Sequence, residues 1–228
     1  METLVEVCPD CSKTPEFCLC SQIKPIDTKT QVLILRHPQE QDHELGTAPL
    51  AVKALSNATL RTGLSWPNLN AARFGKNSTE RVILVPSEWA VLFLGSGLKT
   101  KSTPHQPLVF TDKKGVPLTE IPKIKGLIVI DGSWSQAKTL WWRNPWLVKL
   151  KRAIVMPNQK SLYGDVRREP KKECVSTLES LAIALAQLEG KPELEATLTR
   201  PMKELVSRYR RHLQVARDAK KKALAEKA

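Results

Sequence analysis

Four short, uninterrupted apolar runs constrain the fold of this chain more than any other feature of its sequence. They are residues 32–35 (VLIL), 82–85 (VILV), 127–130 (LIVI) and 153–156 (AIVM). A strand with one solvated face alternates apolar and polar residues, whereas a strand of a parallel sheet is buried on both faces and reads as a continuous apolar run. Helical patterns at residues 47–60 and 134–143 separate the runs. The sequence therefore predicts an α/β fold with a mainly parallel sheet.

A capping box opens another predicted helix. Ser176 and Glu179 have the spacing at which each side chain bonds the other's backbone N–H, and apolar residues recur behind them at helical intervals until Gly190. A last helix, carrying a basic tail, is expected to begin near Pro201. The proline-rich residues 96–126 are typical of an irregular connection.

The charge of the chain indicates what it binds. The 228 residues carry 36 Lys and Arg against 23 Asp and Glu, a net charge of +13. The basic residues cluster between Arg143 and Lys172 and again between Arg208 and Lys222. Such clustering favours nucleic acid as a partner. An anionic membrane surface and simple solubility are the alternatives.

The compartment is predicted from what the sequence lacks. No apolar run approaches the length of a membrane span, and the opening METLVEVCPDCS has neither the basic nor the apolar part of a signal peptide. We therefore expect a cytoplasmic protein that does not bind membranes. No feature of the sequence indicates an obligate protein partner.

Four cysteines near the start of the chain form a candidate metal site. Cys8, Cys11, Cys18 and Cys20 have the spacing C-x2-C-x6-C-x-C. Four thiolates converging on one point suit structural zinc with no position left for water, and disulfides are disfavoured in a reducing compartment. An iron–sulfur cluster and metal-free thiols remain alternatives. Residues 1–28 are predicted to form this module, residues 29–200 an α/β domain, and residues 201–228 a basic helix or tail.

Polar sequences follow three of the four apolar runs. They are Arg36-His37-Pro38-Gln39-Glu40, Pro86-Ser87-Glu88 and Asp131-Gly132-Ser133-Trp134. Each of them alone is compatible with an ordinary turn or a helix cap. Parallel sheets bind ligands at the carboxyl ends of their strands, however, so three such sequences together predict a ligand site there.

These same segments resemble the motifs of the DTW-domain proteins. Residues 131–137 (DGSWSQA) are similar to the family signature D-G-T-W-x-x-A, with Ser133 in place of the usual threonine. The family's first motif resembles residues 37–40 (HPQE), and its last motif resembles residues 167–170 (RREP) together with residues 176–179 (STLE). The likeness runs from the cysteines to about residue 188 and keeps the motifs in order.

The resemblance implies a fold and a function. It predicts a tRNA-uridine aminocarboxypropyltransferase whose residues 29–200 form a DTW domain related to SPOUT methyltransferases, with a trefoil-knotted half that binds S-adenosylmethionine (SAM). The co-substrate would donate its 3-amino-3-carboxypropyl group to N3 of a tRNA uridine and leave as methylthioadenosine. A SPOUT-type RNA methyltransferase and a non-enzymatic zinc-ribbon RNA-binding protein are the alternatives.

The resemblance also implies roles for individual residues. Asp131 is the candidate acceptor of the N3 proton, and Glu40 and His37 are the alternative acceptors. Trp134 either stacks on a base or packs beneath its helix. The predicted SAM contacts are Pro86, Ser87, Ile130, Gly132, Ser133, Met156, Pro157, Ser176 and Thr177. The predicted RNA contacts are Arg167, Arg168, Lys171 and Lys172. Arg167 and Arg168 would bind either phosphate or the carboxylate of SAM, and a solvated face is the alternative for these bases.

Overall fold

The computed structural model describes residues 6–75, 79, 82–92, 107–112, 114–167 and 174–226. Its strands are β1 (Gln31–Arg36), β2 (Ala58–Thr62), β3 (Trp89–Leu92), β4 (Leu108–Thr111), β5 (Gly126–Asp131) and β6 (Lys151–Val155). They form one sheet in the order β2-β1-β5-β3-β6-β4. All neighbouring pairs are parallel except β4 with β6, which is antiparallel. The predicted α/β fold with a mainly parallel sheet is confirmed.

Helices cover both faces of this sheet. They are α1 (Ala48–Ala54), α2 (Leu69–Phe74), α3 (Trp134–Arg143), α4 (Thr177–Glu189) and α5 (Glu193–Ala225). Val32 and Ile34 of β1 join one core with α1, α4 and α5, whereas Leu33 and Leu35 join a second core with α2 and α3. Every residue of a central strand therefore meets apolar neighbours, which is why these strands read as continuous apolar runs.

One predicted strand is wrong. Residues 82–85 have no strand pairing, and the side chains of Val82, Ile83 and Val85 are 53%, 84% and 47% exposed. The strand of this region is β3, which begins at Trp89, and the indole of Trp89 packs directly over Gly126 of the neighbouring strand. Hydrophobicity alone favoured residues 82–85 as the strand. The packing of Trp89 against β5 makes residues 89–92 the strand instead.

Two further strands lie where other structure was predicted. The helix expected over residues 47–60 ends at Ala54, and β2 follows it as the edge strand beside β1. Within the connection expected over residues 96–126, β4 pairs with β6 and buries Leu108 and Phe110. Both are edge strands of four or five residues, whose hydrogen bonds come from a partner distant in sequence rather than from a local pattern.

The last helix is longer than predicted. It begins at Glu193 rather than near Pro201, and Pro201 lies inside it. Its first half buries Leu198, Met202 and Leu205 in the core shared with α4. The division of the chain at residues 28 and 200 stays a prediction, although α5 runs across the second boundary. Among the described residues, no helix is long and apolar enough to span a membrane.

Candidate active site and metal centre

The four clustered cysteines converge in space. All four Sγ atoms lie within 4.8 Å of one another, with Cys8 and Cys20 3.9 Å apart and Cys11 and Cys18 3.8 Å apart. Zinc–sulfur bonds of about 2.3 Å in a tetrahedron place sulfurs about 3.8 Å apart. The thiols are free rather than joined in disulfides. One coordination sphere of this size suits a single ion rather than a multi-iron cluster.

The ionisation of these thiols also favours a cation. Hydrogen bonds from the backbone of Cys11 and Asp10 lower the pKa of Cys8 to about 7. Burial raises the pKa of Cys11 and Cys20. A bound divalent cation would offset this rise and hold Cys11 and Cys20 as thiolates. The residues present fit zinc.

The cysteine loop is fastened to α5. The guanidinium of Arg208 donates hydrogen bonds to the backbone carbonyls of Glu16 and Cys18, at 3.1 and 3.2 Å. The ring of Phe17 is buried and lies 5.7 Å from that of Tyr209. The cysteine loop therefore packs against α5 and does not stand apart from the helices.

A second group of polar residues meets at the carboxyl edge of the sheet. Asp131 is the last residue of β5 and is paired in register with Arg36, the last residue of β1. The backbone N–H of His37 donates to the Asp131 carbonyl at 2.9 Å. The hydroxyl of Thr177, the first residue of α4, donates to the Asp131 carboxylate at 2.5 Å. Three segments of the chain are therefore brought together around one carboxyl group.

The environment of Asp131 changes its acidity. The residue is only 8% exposed, and burial raises the pKa of its carboxyl above the ordinary value. The Thr177 hydrogen bond and the charges of Arg36 and Arg167 oppose that rise, whereas the Glu40 carboxylate adds to it. A strand-end carboxyl with a raised pKa is a stronger base than an exposed aspartate.

Glu40 and Arg167 form an ion pair beside Asp131. A terminal guanidinium nitrogen of Arg167 lies 3.3 Å from a carboxylate oxygen of Glu40, whose side chain is 9% exposed. The guanidinium also lies 5.5 Å from the ring centre of Tyr163, whose hydroxyl donates to the Leu45 carbonyl at 2.7 Å. The structure thus places Arg167, a predicted RNA contact, in the polar cluster of the sheet edge. The other predicted RNA contacts, Arg168, Lys171 and Lys172, lie outside the described residues.

Arg36 also belongs to this cluster, although no role was predicted for it from the sequence. Arg36 is buried, and its Nε donates to the Thr62 hydroxyl at 3.0 Å. Its charge acts on Asp131. The signal in the sequence was an arginine directly after the apolar run 32–35, since a charge at the end of a buried strand is uncommon without a functional or pairing reason. Tyr163 had no comparable signal, because it lies in a loop.

The DGSW segment combines structural and exposed positions. A Cβ on Gly132 would lie 3.0 Å from the Cβ of Gln136, so the backbone is held closely against α3. Ser133 and Gln136 form the predicted capping box. Trp134 is half-buried at the start of α3, and Ile130 packs in the core that α3 covers.

His37 caps a short turn at the end of β1. Its Nδ1 accepts a hydrogen bond from the backbone N–H of Gln39, at 3.3 Å. This bond occupies one imidazole nitrogen in a structural role. The other nitrogen, Nε2, takes no part in this cap.

A cavity of about 410 Å³ is lined in part by Glu179 of α4, two residues after Thr177. Asp131, Glu40 and Arg167 are not among its described lining residues. Met156 and Pro157, both predicted SAM contacts, line it together with Glu179 and Lys203. Ser176 and Thr177 begin the helix that carries Glu179, and the predicted Ser176–Glu179 capping box is present. The cavity therefore opens between the end of β6 and the starts of α4 and α5.

Glu179 also shapes the wall of this cavity. Besides its cap, it accepts hydrogen bonds from the hydroxyl of Ser161 at 3.0 Å and the backbone N–H of Leu162 at 2.8 Å. These bonds fasten the loop after β6 to the start of α4.

Pro86 and Ser87 do not lie at this edge, and the prediction that they do is wrong. They precede β3, whose first residue, Trp89, is paired with Gly126, the first residue of β5. The opposite end of β5, where Asp131 lies, is about 16 Å away along the strand. Both residues are exposed. The error follows from the wrong strand at residues 82–85.

The tryptophans near α3 differ in exposure. The indole N–H of Trp146 donates to the Trp66 carbonyl at 2.9 Å, and the ring of Trp141 carries the Arg152 guanidinium at 5.6 Å from its centre. Trp142 is 77% exposed. The first two tryptophans belong to the packing of the second core, and Trp142 faces solvent.

These features define an α/β protein with a cysteine metal centre and a buried carboxyl at the carboxyl edge of a parallel sheet. The sequence model of the DTW domain matches residues 5–210. The chain therefore belongs to the DTW domain family.

Three relatives carry enzyme names. A mouse protein, tRNA-uridine aminocarboxypropyltransferase 2, is 29% identical over 209 residues, which are 90% of this chain and 64% of the relative. Its Drosophila melanogaster namesake is also 29% identical, over 87% of this chain and 72% of the relative. An Arabidopsis thaliana protein, tRNA-uridine aminocarboxypropyltransferase A, is 27% identical over 88% of this chain and 80% of the relative. This chain thus spans less than two thirds of the mouse protein. No solved structure was found to match it.

Proposed function

We propose that this protein transfers the 3-amino-3-carboxypropyl group of SAM to N3 of a tRNA uridine and releases methylthioadenosine. The observation that carries the proposal is the buried Asp131 carboxyl, held by Thr177 at the carboxyl edge of the sheet. Membership of the DTW family and the names of the relatives support the same reaction.

Asp131 accepts the proton from N3 of the uracil. SAM supplies an electrophilic methylene carbon next to its sulfonium. As the N3–C bond forms, the C–S bond breaks and its electron pair stays on sulfur. The raised pKa of Asp131 brings its basicity closer to that of the weakly acidic imide, and the Thr177 hydroxyl fixes the direction of the carboxylate.

The cavity beside α4 is proposed to receive SAM. Its volume of about 410 Å³ is within the range of small-molecule sites, roughly 300–1,000 Å³. Met156 and Pro157 offer apolar contacts, and Lys203 offers a cation for the carboxylate of the transferred group. The SPOUT-like, knotted arrangement of this half is part of the proposal, and the mainly parallel sheet supports it.

tRNA is the proposed partner, and zinc the proposed structural metal. The net charge of +13 favours a polyanion, and Trp134 at the start of α3 is proposed to stack on a base of the substrate. Free thiols at zinc-site distances suit the cytoplasm, where cysteines stay reduced.

The by-product of the reaction tests the proposal. Purified protein is incubated with SAM and unmodified tRNA, and the products are separated by liquid chromatography and mass spectrometry. Methylthioadenosine and a uridine heavier by one aminocarboxypropyl group are expected. S-adenosylhomocysteine would show instead that the chain is a methyltransferase. An absence of SAM binding with retained tRNA binding would identify a non-enzymatic RNA-binding protein.

A further inference from the structure

A stripe of basic side chains runs along one face of α5. Its members are Lys203, Arg210, Arg217 and Lys221. The intervals of 7, 7 and 4 residues place all four within about 40° of one another around a helix that turns about 100° per residue. The stripe spans 18 residues, which correspond to about 27 Å of helix.

The stripe connects the cavity with the surface. Lys203 lines the cavity between α4 and α5. Val206 is the last buried residue of the helix, and from Gln214 to Ala225 every residue is exposed. The outer half of α5 thus projects from the body and carries Arg217 and Lys221 with it. No ion pair with an acid of the described part of the chain holds these two side chains.

Packing against the rest of the described chain does not explain why the outer half of α5, residues 214–225, is helical. Isolated helices of this length are marginal in water, and this segment buries no apolar side chain of its own. It also lies beyond the match to the DTW domain, which ends at residue 210.

The chemistry of the segment favours RNA over a lipid surface. A helix that lies on a membrane needs a broad apolar face with large side chains. The face of α5 opposite the stripe carries Val215, Ala216, Ala219 and Ala223. One valine among alanines is too little apolar surface to anchor the helix in a bilayer. A line of Lys and Arg at helical spacing complements the phosphates of a nucleic acid backbone.

We propose that Arg210, Arg217 and Lys221 of this stripe form a docking surface for the tRNA phosphate backbone. It holds the backbone along α5 and leads it to the cavity at Lys203. This inference rests on the proposed function for the identity of the RNA. The Arg210–Asp165 ion pair, whose side chains are 52% and 84% exposed, opens readily to a phosphate.

A pair of double variants tests the surface. Arg217→Gln with Lys221→Gln removes two charges from the stripe, whereas Lys24→Gln with Lys222→Gln removes two exposed charges away from it. Binding of unmodified tRNA is measured by fluorescence anisotropy at several salt concentrations. The stripe variant should bind about tenfold more weakly at moderate salt and lower the slope of log K against log salt by roughly 1 to 2. The control should bind like the parent.

Further measurements separate this inference from the proposed function. Circular dichroism confirms that the helix persists, and calorimetry shows whether SAM affinity is retained. If the stripe variant binds tRNA as tightly and with the same salt slope as the parent or control, the stripe is only a solvated face, even if the parent forms methylthioadenosine. If the parent binds vesicles of anionic phospholipid but not tRNA, the RNA assignment is overturned. Failure of the parent to form methylthioadenosine overturns the proposed function, whatever the stripe variant binds.

Discussion

The cysteine centre and the carboxyl edge of the sheet are built in opposite ways. The four cysteines lie within thirteen consecutive residues, and their loop brings the sulfurs together. The edge site joins Asp131 to Thr177 across 46 residues and Glu40 to Arg167 across 127. A metal centre of the first kind is encoded by local spacing, whereas the second kind exists only when the sheet has formed.

The two regions also use charge differently. At the cysteine centre, a bound cation would hold thiolates together and supply binding energy to the fold. At the edge site, no metal is needed to explain the burial of Asp131, Glu40 and Arg167, and the acids and bases there compensate one another incompletely. A metal bound by the cysteines stabilises the fold. The burial that raises the pKa of Asp131 at the edge site lowers the stability of the fold.

Removing the metal centre should produce the largest effect on stability. Cys8→Ser combined with Cys11→Ser leaves two thiolates, so we expect loss of zinc and a fall in unfolding free energy of at least about 3 kcal/mol, or roughly 10 °C in Tm. Elemental analysis and thermal unfolding measure both. Cys174→Ser, which changes a thiol outside the cluster, is the control. Zinc retained at one ion per chain in the double variant would contradict the assignment.

Asp131→Asn should separate activity from stability. Turnover in a single-turnover assay should fall roughly 100-fold, because the amide cannot accept the proton. The native pKa is raised, so the native state holds more protons than the unfolded state and loses stability as pH rises through the native pKa. The variant lacks this loss and should unfold at a higher Tm at pH 8 than the parent. Unchanged turnover would make Asp131 structural and leave Glu40 or His37 as the base.

Two neighbours of Asp131 should shift its titration in opposite directions. Thr177→Val removes a hydrogen bond that lowers the Asp131 pKa, so the rise of rate with pH should move to higher pH. Glu40→Gln removes a negative charge that raises this pKa, so the rise should move to lower pH. Each variant should change the rate a few-fold at a pH within the rise. The pH dependence of single-turnover rates measures both, and shifts in the same direction would refute the electrostatic account.

The smallest effect should come from the contact between the cysteine loop and α5. Arg208→Gln removes the guanidinium donors to the carbonyls of Glu16 and Cys18 and should cost about 1–2 kcal/mol of stability. Zinc should then leave faster in the presence of a chelator. Arg211→Gln, on the same helix but 70% exposed at its side chain, is the matched control. Equal zinc release from both variants would show that the α5 contact does not hold the loop.

The sequence by itself determined the features that depend on short spacing. The cysteine set, α3 and the two capping boxes are as predicted, because ligands or caps separated by a few residues meet whenever the local backbone forms. The apolar runs at residues 32–35, 127–130 and 153–156 coincide with β1, β5 and β6 for a related reason. A strand buried on two faces has to be apolar throughout, and central strands leave that signature.

Only the tertiary structure decided which segments become partners. The apolar residues 82–85 stay exposed while β3 pairs four residues further on, and this displacement removes Pro86 and Ser87 from the ligand edge. The same holds for the cluster at that edge. Arg36 and Arg167 act on Asp131 or Glu40, and Tyr163 contacts Arg167, at separations that follow no sequence period. Sheet register and burial set those contacts, because they depend on the packing of the whole chain rather than on any local window.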